Sequence, residues 1–169
     1  DWAEKIDCEL TALLGLPHVH YELAFELVGK TPGVVCENCA PAPVSLLLGN
    51  QLLLERDPGY PADASNRYKV REHTVDAVAG VLRQLGMPPT EMFRERPEGI
   101  NVALDVFIGY VMLDAWTANQ DRHHENWGAL REGGILRLAP TFDHGASMAR
   151  NLTDEERKDR LTTKDVNRQ

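Results

Sequence analysis

Two polar segments carry the residue types with the most chemical scope. Asn119-Gln120-Asp121-Arg122-His123-His124-Glu125-Asn126 sets an Asp and an Asn five residues apart. Ala139-Pro140-Thr141-Phe142-Asp143-His144-Gly145 adds a second Asp seventeen residues after the Asn. Phosphoryl transfer from a magnesium nucleotide asks for such a set: one carboxylate to orient the attacking hydroxyl, and an Asn and an Asp to hold metal. Magnesium favours oxygen ligands and completes its octahedron with water and substrate phosphates, so two protein oxygens are enough. The Asp-x4-Asn spacing alone also suits a hydrated loop whose carboxylates cap helices and turns.

The intervening residues say how these groups are positioned. Trp127-Gly128-Ala129-Leu130 runs out, Arg131-Glu132-Gly133-Gly134 supplies a four-residue turn, and Ile135-Leu136-Arg137-Leu138 runs back. Arms of matched length return residues 126 and 143 to one edge. Gly145 gives the backbone freedom to turn closely after Asp143. Upstream, residues 101–118 form a helix apolar on nearly every side, expected at the centre of a helical lobe and delivering the chain into the 119–126 loop. Trp116 and Trp127, flanking that loop, read as core anchors.

The remaining chain divides into two halves. Trp2–Leu14 shows a helical apolar stripe ended by Gly15 and Pro17. Residues 21–28, 33–39 and 44–54 read as strands. Proline-bearing residues 57–66 mark a boundary, which predicts a small β-containing lobe over 1–56 and a helical lobe over 57–169. In the second half, Val70, Val75, Val78, Val81, Leu82 and Leu85 define a helix face, and Thr90–Arg94 suits one more helical turn. Beyond Ser147 the chain is charged and expected at the surface, with a helix starting near Leu161.

Composition sets bounds. A length of 169 residues suits about one domain, by a prior of ~100–200 residues each. A 43% hydrophobic content supports a core. The net charge of −8, with no Lys/Arg cluster, argues against nucleic-acid partners. Val102–Trp116 contains Asp105 and Asp114 and is too short to span a membrane. Three cysteines make a poor disulfide framework and predict a reducing, cytoplasmic setting.

The Asn-x-Asp-Arg-His-x-x-Asn loop and the Ala-Pro-x-Phe-Asp-x-Gly segment resemble the catalytic and metal-binding loops of HipA-like serine/threonine kinases, bacterial proteins best known as toxins of toxin–antitoxin pairs. More distantly, the Asp-Arg-His-x-x-Asn loop is similar to that of phosphatidylinositol kinases. The match covers roughly residues 100–150, with a weaker extension through Trp2–Lys5 and Gly15–Pro17. Ordinary protein kinases place His-Arg before their catalytic Asp; here Arg and His follow it.

The resemblance implies an α+β, protein-kinase-like fold of two lobes, the smaller incomplete, with a β-hairpin at the active site. It also implies ATP and magnesium as cofactors and a protein Ser/Thr hydroxyl as acceptor. Asp121 would be the catalytic carboxylate, Asn126 and Asp143 the magnesium ligands, and Arg122 and His123 the supports of the loop. Glu4 would be the helical Glu that pairs with a strand Lys at the phosphates, although a helix N-terminal acid complementing the dipole is the simpler account of it. That Lys and its strand would precede residue 1, so the chain is expected to be part of a longer protein. An antitoxin-like partner belongs to the same implication. A pseudokinase or partner-binding fragment, and a kinase acting on a lipid or other small molecule, are the alternatives.

Two metal readings compete. His123, His124, Asp143 and His144 could build a zinc hydrolase site, though adjacent histidines do not readily point at one ion. His18 and His20 beside Cys36-x-x-Cys39 could hold zinc, but the apolar flanks of the cysteines favour packed thiols.

Overall fold

The computed structural model describes residues 2–63 and 69–163. Helix α1, Trp2–Leu13, buries Ala3, Glu4, Asp7, Cys8 and Thr11 on one side. Gly15 ends it at φ +67, a conformation open to glycine, and a Cβ there would meet the Glu95 carbonyl at 2.6 Å. Strands β1, Tyr21–Glu26, and β2, Thr31–Cys36, then form an antiparallel hairpin with Tyr21 opposite Cys36. Leu23, Phe25 and Val35 remain exposed on it.

The apolar run 44–54 is two elements, not the single strand expected. Strand β3, Ser45–Leu48, passes directly into helix α2, Gly49–Arg56. Periodicity does not separate a short buried strand from a buried helical turn. The switch is set by tertiary hydrogen bonds, Gly49 N–H to Trp127 O at 2.8 Å and Asn50 N–H to His124 O at 2.7 Å. The boundary expected at 57–66 falls partly on residues 64–68, outside the described residues; before them, Tyr60 is buried.

Helix α3, Val75–Leu82, is capped by Thr74, whose hydroxyl accepts from Ala77 N–H. It buries Val78, Val81 and Leu82 but leaves Val75 exposed, so the apolar face is narrower than expected. A 3-10 turn covers Thr90–Met92. Helix α4, Ala103–Thr117, buries Val106, Tyr110 and Leu113 in the core. Its other side does not match the expectation of an enclosed helix: Ile108, Met112 and Trp116 are exposed, Trp116 at 60%, because no described element covers them. Trp127, by contrast, is buried and meets Phe107 edge-on.

The expected hairpin is strand β4, Gly128–Glu132, and strand β5, Ile135–Leu138. Its loop is tighter than the four residues expected: Glu132 pairs with Ile135, leaving Gly133 and Gly134 as a two-residue turn at φ +53 and +86. β3 joins on the far side, giving a three-stranded antiparallel sheet in the order β3-β4-β5. This sheet ties the first half of the chain to the hairpin that flanks the polar loops. Helix α5, Asp154–Thr162, starts earlier than expected; Thr153 and Glu156 form its capping box, and residues 164–166 lie outside the described residues. No described helix is long and apolar enough to cross a membrane.

Candidate active site

Helix α4 ends at Ala118 in the left-handed conformation and releases the chain into residues 119–126. Asp114, buried in the last turn, receives one edge of the Arg122 guanidinium: Nε donates to Oδ2 and Nη2 to Oδ1, each 2.7 Å. It also accepts from Asn119 Nδ2 at 2.8 Å. The third nitrogen of Arg122, Nη1, donates to Asn126 O at 2.8 Å and Thr141 Oγ1 at 3.1 Å. Arg122 therefore ties the end of α4, the 119–126 loop and the 141–144 segment together. A planar, permanently charged fork suits this task.

Within the loop, Asn126 Nδ2 donates to Asp121 O at 2.7 Å. This bond fixes the amide and leaves Oδ1 as its remaining acceptor. His123, buried, accepts the Glu125 N–H on Nδ1 at 3.1 Å, so its Nε2 carries the proton. That nitrogen stands 3.4 Å from Asp121 Oδ1, an electrostatic contact. Asp121 Oδ1 is shielded from solvent and has no hydrogen-bond partner among the described residues.

Asp143 lies exposed on the adjoining segment at φ +58. The close turn expected at Gly145 is thus made by Asp143 itself, one of the few residue types that enters this region readily. Its N–H points to Tyr21 Oη at 3.4 Å. Among the described residues, no side-chain hydrogen bond joins its carboxylate to Asp121 or Asn126; the link between the two segments runs through Arg122.

Glu4 lies in the first turn of α1 but is not a surface acid. It is 7% exposed, and its Oε2 accepts the His144 N–H at 3.0 Å. Burial pushes its carboxyl above the ordinary range, and neighbouring Asp143 adds to this. No Lys or Arg pairs with it among the described residues. Burial, with the positive Arg122 beside it, lowers the His144 imidazole to about 3, so the ring is neutral. Its Nε2 accepts from Thr141 Oγ1 at 2.8 Å.

The three histidines of the zinc hydrolase reading face different partners: His123 the Asp121 side, His124 the Tyr60 hydroxyl at 2.8 Å, and His144 Thr141 and Arg122. They form no ligand cluster. Cys36 and Cys39 are not packed thiols, since Cys36 is exposed and Cys39 half-buried, and both are free. Sequence reasoning missed Asp114 and Thr141 altogether. An Asp inside an otherwise apolar helix, eight residues before an Arg, was the available signal for the first.

A cleft of about 590 Å³ opens beside the loop, lined by Asp114, Asn119, Gln120, Arg122 and His123; Asp121 and Asp143 are not among its lining residues.

The whole described architecture is a mixed α+β arrangement of kinase-like fold. It is similar to the crystal structure of a Helicobacter pylori proinflammatory kinase, CtkA, with a TM-score of 0.67 at 18% identity, over 99% of this chain and 54% of that one. The chain thus spans about half the length of the structure it matches. No family model matches the sequence, and no curated protein matches it.

Proposed function

We propose that this chain carries the catalytic loops of a HipA-like kinase that transfers the γ-phosphoryl of ATP to a serine or threonine hydroxyl on a protein. The observation that carries the reading is the Asn126–Asp121 hydrogen bond, inside a loop that Arg122 clamps to the segment bearing Asp143. It leaves Asn126 Oδ1 as the amide's remaining acceptor. Asp121 Oδ1, buried without a hydrogen bond among the described residues, faces His123 Nε2 at 3.4 Å. In this reading the Asp121 carboxylate accepts the proton of an incoming hydroxyl. Buried acceptors without partners call for a functional account.

The donor set fits magnesium, because Asn126 and Asp143 both offer oxygen. Bound there, the ion would neutralise charge on the nucleotide phosphates. Arg122 and His123 position Asp121, and Glu4 holds the backbone that follows Asp143. Positioning and charge complementarity carry such a reaction without a covalent enzyme intermediate. In this reading residues 1–56 belong to the smaller lobe and 57–169 to the larger.

The test uses the full-length protein that contains this chain, labelled ATP and magnesium. Asp121→Asn and Asp143→Asn should each abolish transfer while circular dichroism stays unchanged. Full activity in either variant rejects the assignment. A second reading, a partner-binding module without activity, is favoured by the cleft beside the loop, which neither Asp121 nor Asp143 lines. Absence of magnesium-dependent ATP binding in the full-length protein would select that reading.

A further inference from the structure

Away from the polar loops, Cys8 on α1 and His18 and His20 on the segment leading to β1 each bring one ligand-capable atom within 4.8 Å of the other two. Cys8 Sγ lies 3.6 Å from His20 Nδ1. In a tetrahedral zinc site with Zn–S of about 2.3 Å and Zn–N of about 2.0 Å, sulfur and nitrogen are separated by about 3.5 Å. The pair already has the separation of two corners of such a tetrahedron.

The outer contacts of the rings agree. His20 Nε2 is 2.7 Å from Glu22 Oε1, the carboxylate–histidine arrangement that fixes a tautomer with its other nitrogen free to ligate. Glu22 is in turn held by Lys5 at 3.2 Å. His18 Nδ1 is 2.8 Å from Leu16 O, which likewise commits one ring nitrogen as a donor and leaves the other with its lone pair. Cys8 Sγ accepts the Tyr21 N–H at 3.4 Å, which fixes where the sulfur lies. Cys8 is buried while His20 is exposed, so the cluster is walled by protein on one side and reachable on the other.

We infer that Cys8, His18 and His20 bind a thiophilic divalent cation of the zinc class, with water at the fourth position. Soft sulfur and imidazole ligands select this class over magnesium. Loading releases the Cys8 thiol proton to solvent and leaves a neutral imidazole on each histidine. The ion pins α1 to the start of β1. Glu4 lies one turn before Cys8 on the same helix, so the site also anchors the element that holds Glu4 against His144.

The test uses the purified chain, stripped with a chelator and titrated with Co2+. One equivalent should bind and give a near-ultraviolet thiolate–cobalt charge-transfer band, which Zn2+ then removes by displacement. Cys8→Ser should abolish the band. His20→Gln, at an exposed position where folding is not at risk, should weaken binding by roughly tenfold or more with unchanged circular dichroism. Cys36→Ser combined with Cys39→Ser should leave the titration as it was. A wild-type chain that shows no band, a Cys8→Ser chain that keeps it, or a Cys36/Cys39 variant that loses it overturns the inference.

Discussion

Arg122 and Asp114 meet in a two-point ion pair, both contacts at 2.7 Å, that couples the last turn of α4 to the loop carrying Asp121 and Asn126. Both side chains are nearly buried, at 12% and 9% exposure. Removing one member of such a pair strands the other's charge, whereas removing both relieves the demand. Arg122→Ala is therefore expected to destabilise the chain by roughly 3–5 kcal/mol, and Asp114→Ala by a similar amount. The double variant should cost clearly less than their sum, which denaturant unfolding in a double-mutant cycle will measure. Additive costs would show that the pair does not act as a unit.

A second prediction concerns how closely β3 approaches β4. Gly128, directly after Trp127, pairs with Leu48, and a Cβ there would stand 2.2 Å from the Leu47 carbonyl oxygen. Backbone does not move aside as a side-chain tip would. Gly128→Ala should cost roughly 3 kcal/mol, as overpacking that shifts a strand does. Gly133, in the open turn at φ +53, meets nothing within 4 Å. Gly133→Ala should cost only about 1–2 kcal/mol, from conformation alone. Thermal denaturation of the two variants will rank them.

Asp7 supplies a pH-dependent prediction. It is fully buried, and neither carboxylate oxygen meets a donor in hydrogen-bond geometry, although the Ser147 and Thr117 hydroxyls and Arg122 counter part of the effect. Burial raises its carboxyl to about 6, with Asp114 adding to the rise. The unfolded chain releases this proton near about 3.9, so the folded state holds it longer. Stability associated with Asp7 is thus intact below about pH 4, falls as pH rises toward 6 and stays low above that. At about 1.4 kcal/mol per unit the loss is at most roughly 3 kcal/mol. Asp7→Asn should be more stable than the parent at pH 7, and the two should converge in acid. A difference that does not change between pH 4 and 7 would exclude this origin.

What could be read from the sequence follows from the range of the interactions involved. The hairpin was legible because strand alternation and Gly133-Gly134 are local signals. Helix α4 was legible as a helix, yet not in its exposure, since which side is covered depends on neighbours far along the chain. The β3–α2 junction was hidden in a run of leucines and is decided by hydrogen bonds to residues 124 and 127. At the candidate site, residue types and spacing singled out Asp121, Asn126 and Asp143. They did not reveal that Arg122 reaches on to Thr141, or that Glu4 caps the backbone at residue 144, because these contacts join segments far apart along the chain. The Cys8, His18 and His20 cluster is hidden for the same reason: Cys8 stands twelve residues from His20 on another element, whereas Cys36-x-x-Cys39 is a local pattern.

Glu4 permits a prediction that separates geometry from charge. Its carboxylate accepts the buried His144 N–H, so an acceptor is required there, while burial penalises the charge. Glu4→Gln keeps a carbonyl oxygen in the same place and removes the charge. Its stability at neutral pH should match or exceed the parent's, because no Lys or Arg among the described residues is left without its partner. Glu4→Ala leaves the His144 N–H without an acceptor and should cost roughly 1–3 kcal/mol. Denaturant unfolding of both variants provides the comparison. If Glu4→Gln were as damaging as Glu4→Ala, the negative charge itself would hold the 143–145 turn, and the hydrogen bond would be secondary.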